Sequence, residues 1–154
     1  MTAPAAQTGA AEYLTFSLVG EEYAIDILRV REIREFDGAT RVAGAAARVV
    51  GVMNLRGAIV PIMDLRVLIG LPSSSTEGKV VIIVALAEAI VGMLVDQVND
   101  VIGFPANAVH PVPPTLAVDA RHMRAIGIVE GRMILLLDAL SLLGEHTLPL
   151  TEAV

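Results

Sequence analysis

The chain has 154 residues, no cysteine, 55% hydrophobic residues of almost wholly aliphatic kind, and a net charge of −6. That length suits one domain burying roughly two-thirds of its unfolded surface, and the missing cysteines exclude a disulfide frame, a thiol nucleophile and a thiolate metal site. The negative balance and the five aromatics argue against nucleic-acid binding, which wants a basic stripe and stacking platforms. Residues 1–11 lack the basic start and apolar centre of a signal peptide and read as a short disordered lead. Tyr13 to Val19 and Tyr23 to Val30 read as strands joined at a tip of Gly20-Glu21-Glu22. The second runs on through Phe36, with Ile33 on one face and Glu32 and Arg34 on the other; a helix over Leu28 to Phe36 is the competing reading. Asp37-Gly38 ends it, and residues 38–48 read as a loop. Val50 to Met53 and Ala58 to Met63 form a hairpin about Asn54-Leu55-Arg56-Gly57, because Asn and Gly tolerate positive φ. Asp64 is placed to N-cap a short helix, Leu65 to Ile69, closed by Gly70.

Pro72 to Gly78 reads as a loop. Val80 to Leu86 and Ala89 to Val95 form a hairpin about Ala87-Glu88, followed by Val98 to Ile102. The longest strong apolar run, Val80 to Leu86, is strand-sized and too short to span a membrane, so a cytoplasmic chain with no membrane insertion is expected. His110 to Pro114 is irregular, since prolines neither ladder nor coil. Ile126 to Val129 and Met133 to Leu137 form a further hairpin, Asp138 caps a last helix through Leu143, and residues 145–154 read as a tail.

The chain repeats itself. Val50-Gly51-Val52 is echoed by Ile126-Gly127-Ile128, Arg48 by Arg124, Gly57 by Gly131, Asp64 by Asp138 and Gly70 by Gly144. The offset changes from 76 at Gly51 to 74 at Gly57, which is read as a second tip shortened by two residues, with Asn-Leu-Arg replaced by Glu130. A weaker echo sets Ile27 to Ile33 against Val95 to Val101 at an offset of 68. Short strands with turns every 8–12 residues, in two related sets, predict a mainly β fold of two small five-stranded barrels around a shared hydrophobic core, with short helices. The halves are expected at about 13–70 and 79–144.

No active site emerges. His110, His122 and His146 lack metal-ligand spacing. Asp64 and Asp138 are explained as helix caps, and Ser73 to Ser75 sit in a loop without a base. No cofactor, metal or catalytic residue is expected. Arg56 is the unusual residue, a fixed cation at the tip of an apolar ribbon and present in one half only. It is read either as solvated or as a charge-assisted contact, to a partner or to Glu32 across the first barrel. Val30, Ile33, Val81 and Ile82 are candidates for an apolar patch beside it; each has ordinary core as its plainer reading.

The blocks Glu21 to Ile27, Val30-Arg31-Glu32-Ile33, Gly51 to Gly57, Ile59 to Arg66 and Val95 to Val101 together resemble the CheW-like adaptor family of bacterial chemotaxis, over about residues 12–144. The resemblance implies two SH3-like barrels and a non-enzymatic scaffold joining the cytoplasmic tips of chemoreceptors to the regulatory domain of the histidine kinase CheA. Receptor arrays are then its place in the cell. It further implies that the receptor hairpin docks in a groove between the barrels, near Val30, Glu32, Gly51 and Arg56. The expected partner-binding set is Val30, Glu32, Ile33, Gly51, Asn54, Leu55, Arg56, Gly57, Val81 and Ile82. Rival expectations are a CheW-like regulatory module of a kinase, a receiver-fused adaptor, and an enzyme on a small barrel. Residues 40–47 carry no proline where the family commonly has a Thr-Pro loop.

Overall fold

The computed structural model describes residues 11–71, 79–114 and 122–144. The expectations for residues 1–10, for the loop 72–78, for His146 and for the tail 145–154 lie outside that range. The strands in chain order are β1 (Ala11–Leu18), β2 (Glu21–Asp26), β3 (Val30–Glu35), β4 (Val49–Leu55) and β5 (Ala58–Asp64). They continue with β6 (Val80–Ala85), β7 (Ile90–Val95), β8 (Gln97–Phe104), β9 (Val109–His110), β10 (Met123–Val129) and β11 (Arg132–Leu137). The helix α1 (Leu65–Leu68) follows β5, and residues 139–144 are helical.

Two compact units result. A central unit covers Arg29–Val98, and a terminal unit combines the chain up to Leu28 with the chain from Asn99 onward. The central sheet runs β3-β6-β7-β5-β4 and the terminal one β8-β1-β2-β11-β10-β9. The chain is mainly β with two sheets, as expected. The sixth terminal strand is the two-residue β9, which pairs with β10 through Ile126 and His110.

The division into consecutive halves at 13–70 and 79–144 does not survive. The hairpin β1–β2 pairs with β11 of the second repeat, Tyr23 opposite Leu135. The hairpin β6–β7 pairs with β3 and β5 of the first, Ile82 opposite Ile33 and Gly92 opposite Ile62. Each sequence repeat thus gives its first hairpin to the unit completed by the other. The break that permits this is a 3₁₀ turn at Ile27–Arg29, where the sequence suggested one unbroken strand from Tyr23 to Phe36. The β1–β2 tip also differs from expectation: strand pairing runs to Leu18 opposite Glu21, so the turn is Val19-Gly20, with φ of 49° and 83°. Two-residue hairpin turns with positive φ at both positions follow the right-handed twist of the strands.

Each sheet closes on itself by way of its edges. In the central unit the chain leaves edge strand β3, and Thr40 exchanges two 2.8 Å backbone hydrogen bonds with Val52 on the opposite edge, β4. In the terminal unit β8 leads through a 3₁₀ turn at Ala106–Ala108 into β9 on the far side of β10. The central core gathers Leu55, Val60, Ile62, Val81, Ile83 and Leu94, and the terminal one Tyr13, Ala24, Phe104, Ala125, Ile134 and Leu136. Close approach explains the two equivalent glycines of the repeat. A Cβ at Gly127 would lie 2.4 Å from the Phe104 ring, and one at Gly51 only 2.5 Å from the Thr40 carbonyl oxygen. The second neighbour is backbone and has no rotamer to yield. Gly51→Ala should therefore cost about 1–3 kcal/mol of stability and raise amide exchange at Thr40 and Val52. Unchanged protection at both amides would contradict it.

Candidate functional site

Pairing of β4 with β5 extends to Leu55 opposite Ala58, so the turn between them is Arg56-Gly57, with φ of 50° and 92°. The left-handed region costs a non-glycine residue roughly 1–2 kcal/mol, and turn chemistry would favour Asn there. An arginine at that position is held in a conformation its side chain does not favour. The rest of the expected tip supports it. Asn54 Oδ1 accepts a 2.8 Å hydrogen bond from the Gly57 N–H, and Leu55 is buried in the central core. Asn54 and Leu55 are thus brace and anchor, and Arg56 is what projects.

Arg56 Nη2 donates to Glu32 Oε2 at 2.6 Å. Glu32 sits on β3 opposite Ile83, and Arg34 opposite Val81, so both face the same side as the core while Ile33 points the other way. The two carboxylate oxygens of Glu32 divide between guanidiniums, Arg34 Nη1 standing 3.7 Å from Oε1. The Arg56 side chain remains 70% exposed. Eight of the chain's eleven cationic side chains belong to this unit. The hydrogen bond from Arg56 is the main reason the Glu32 carboxyl titrates below its ordinary value, with the nearby Arg56 and Arg34 charges adding to it; the same bond raises Arg56. A depressed carboxyl keeps its contact above the unfolded-state value and loses it as pH falls through the folded one. The Glu32 carboxyl carbon, followed by NMR, should titrate below the ordinary 4.5 and rise toward it in Arg56→Ala. An identical midpoint in both proteins would contradict the contact.

The other expected site residues separate clearly. Val30 is half-buried and Ile33 is 45% exposed, in register with Val84 and Ile82 and so on the face of β3 away from Glu32. Gly51 underlies the Thr40 strap. Val81 and Ile82 are fully buried and leave the candidate surface: a continuous aliphatic strand is covered on both faces.

Arg56 does not lack a counterpart in the second repeat, as the sequence suggested. Both ribbons end in two-residue turns, Glu130-Gly131 having φ of 53° and 80°, so nothing is deleted at the tip. The extra residues lie within β4: Gly57 follows Gly51 by six positions, Gly131 follows Gly127 by four. The arginine has moved two places on, to Arg132. It reaches Asp100 through Nη1 to Oδ2 at 3.2 Å and Nη2 to Oδ1 at 3.1 Å, and also pairs with Glu22. Asp100 is the residue that the 68-residue echo sets against Glu32. Thr15, fully buried, donates from Oγ1 to Asp100 Oδ1 at 2.6 Å, and Asn99 donates to Ser17 and Glu22 at 3.1 Å each. Arg132 holds both carboxyls below their ordinary range. This second clasp is saturated by two carboxylates and only 34% exposed; the first has one carboxylate and an open guanidinium.

His122 is half-buried, with Nδ1 3.2 Å from Ser141 Oγ. Asp138 accepts from the Ser141 backbone N–H, as a helix cap does. Asp64 caps α1 in the same way. No group of three or more His, Asp or Glu suited to a metal ion occurs among the described residues, and no helix among them is long and apolar enough to cross a membrane.

The model of the CheW-like domain family matches residues 12–146. The chemotaxis protein CheW of Klebsiella aerogenes is 40% identical over 97% of this chain and 92% of its own length. That of Bacillus subtilis is 32% identical over 87% of each. The crystal structure of the scaffolding protein TtCheW from Thermoanaerobacter tengcongensis superimposes with a TM-score of 0.76 at 29% identity, over 83% of this chain and 88% of that one.

Proposed function

The chain belongs to the CheW-like domain family, and from that membership we propose a non-enzymatic chemotaxis scaffold that couples chemoreceptors to the histidine kinase CheA at cytoplasmic receptor arrays. Its receptor-facing site is the Arg56 turn, with Glu32 as the residue that orients it. The observation that carries this site is the contrast between the two clasps. Arg132 spends its donors on Glu22 and Asp100, whereas Arg56 gives one nitrogen to Glu32 and remains largely open. A guanidinium whose planar fork is partly fixed and partly free is suited to charge-assisted pairing with a partner group. Scaffolding asks for no reacting atoms, only two surfaces that hold their shape.

The test is reconstitution. The purified chain, a soluble receptor signalling-tip fragment and the kinase should co-elute as a ternary complex, and omission of the chain should leave receptor and kinase apart. Separate elution of all three would overturn the proposal.

A further inference from the structure

The Arg56–Glu32 pair is one end of a larger polar surface. Glu32 stands between two guanidiniums, Arg56 at 2.6 Å and Arg34 at 3.7 Å. Arg34 also forms a wall of an open surface cleft of about 330 Å³, lined by Asp37, Ala39 and Thr40 of the strap and by Val52, Met53 and Asn54 of β4. Asn54 is the brace of the Arg56 turn, so cleft and turn are continuous. Glu32, Arg34 and Arg56 together carry one positive charge in excess, which Asp37 of the cleft lining offsets. The volume lies at the small end of the range for ligand sites, enough for a side chain and too small for a helix, which is about 10–12 Å across.

Resting on the receptor-facing reading of Arg56, we infer that this cleft receives an acidic side chain of the receptor hairpin, its carboxylate paired by Arg34 with Arg56 alongside. A carboxylate matches the planar donors of Arg34. Asp37, also in the cleft lining, opposes the incoming acid and limits the affinity of the contact. That opposition gives the inference a sign: removing Arg34 and removing Asp37 act in opposite directions on one binding constant.

Binding of a receptor cytoplasmic fragment to the full chain is measured by calorimetry for wild type, Arg34→Gln, Asp37→Asn and Arg56→Ala, at low and high salt. Arg34→Gln should weaken binding about three- to tenfold and Asp37→Asn tighten it about twofold, both effects shrinking at high salt. Arg34→Glu should be restored by a Glu→Lys or Asp→Lys change in the receptor fragment. Wild-type binding by Arg34→Gln while Arg56→Ala weakens would overturn the cleft and leave the Arg56 reading standing. Weakening by Asp37→Asn would mean a cationic occupant and also overturn it. Unchanged binding by Arg56→Ala would remove the receptor-facing reading on which the inference rests.

Discussion

Arg56→Ala is expected to lower affinity for a receptor signalling fragment about ten- to a hundredfold while the melting temperature moves by no more than about 2 °C. The two halves of that expectation have different origins. Binding suffers because the exposed guanidinium is a charge-assisted donor with free positions, and such donors count most when a partner excludes water around them. The fold survives because an ion pair that is 70% exposed on one side contributes little against solvent and entropy. The backbone cost of an arginine at φ 50° is not lifted by alanine, which also clashes in the left-handed region; Arg56→Asn relieves it and should raise stability slightly while still losing affinity. Glu32→Ala should weaken binding by a similar factor, since it removes the orienting carboxylate. If the two residues act as a unit, the double variant loses less than the product of the single losses. Equal melting curves with unchanged affinity in Arg56→Ala would end the receptor-facing reading, and strictly multiplicative losses would separate Glu32 from it.

What the sequence disclosed was local. The ribbons β4–β5 and β10–β11, their glycine turns and the aspartate caps are set by residues within fourteen positions of one another, and they appear near where expected, with the first tip tightened to two residues. The pairing of Glu32 with Arg56 spans 24 residues and was legible only as one of three options, because local pattern does not say which strands meet. The exchange of hairpins between repeats was hidden, because alternation and turn residues say nothing about which strand lies beside β2 or β3. The three residues Ile27–Arg29 carry no Gly or Pro to mark the break there. Arg132 was missed for a different reason. The offset-68 echo already placed Asp100 opposite Glu32, but an arginine was sought only at the tip, and the second ribbon places it two residues later. Val81 and Ile82 sat in an unpatterned aliphatic run, where periodicity cannot distinguish a buried strand from a binding patch.

The largest stability loss should come from a residue that has no part in binding. Arg66 is 1% exposed, and its guanidinium pairs with Asp64, Nε to Oδ1 at 3.0 Å and Nη2 to Oδ2 at 3.0 Å. Asp64 Oδ1 also accepts from the Arg66 backbone N–H as the cap of α1, so one carboxylate satisfies both a helix terminus and a buried cation. In return Asp64 holds Arg66 above the ordinary arginine value, and the Asp96 charge adds to this. Arg66→Leu keeps the apolar stem but takes the guanidinium away from a buried carboxylate, a change that costs about 3–5 kcal/mol. Urea unfolding should show the midpoint falling with the slope unchanged. Asp64→Asn in the same chain removes the carboxylate charge while keeping an oxygen for the cap, and should recover a large part of the loss. That recovery separates the electrostatic account from simple packing, since a cavity or clash made by leucine would persist in the double variant. A double variant no more stable than Arg66→Leu would place the cost in packing instead. Because the pair lies at the end of β5, seven residues beyond the Arg56 turn, residual folded Arg66→Leu should bind receptor fragment with wild-type affinity, and a parallel loss of affinity would show the two sites to be coupled through β5.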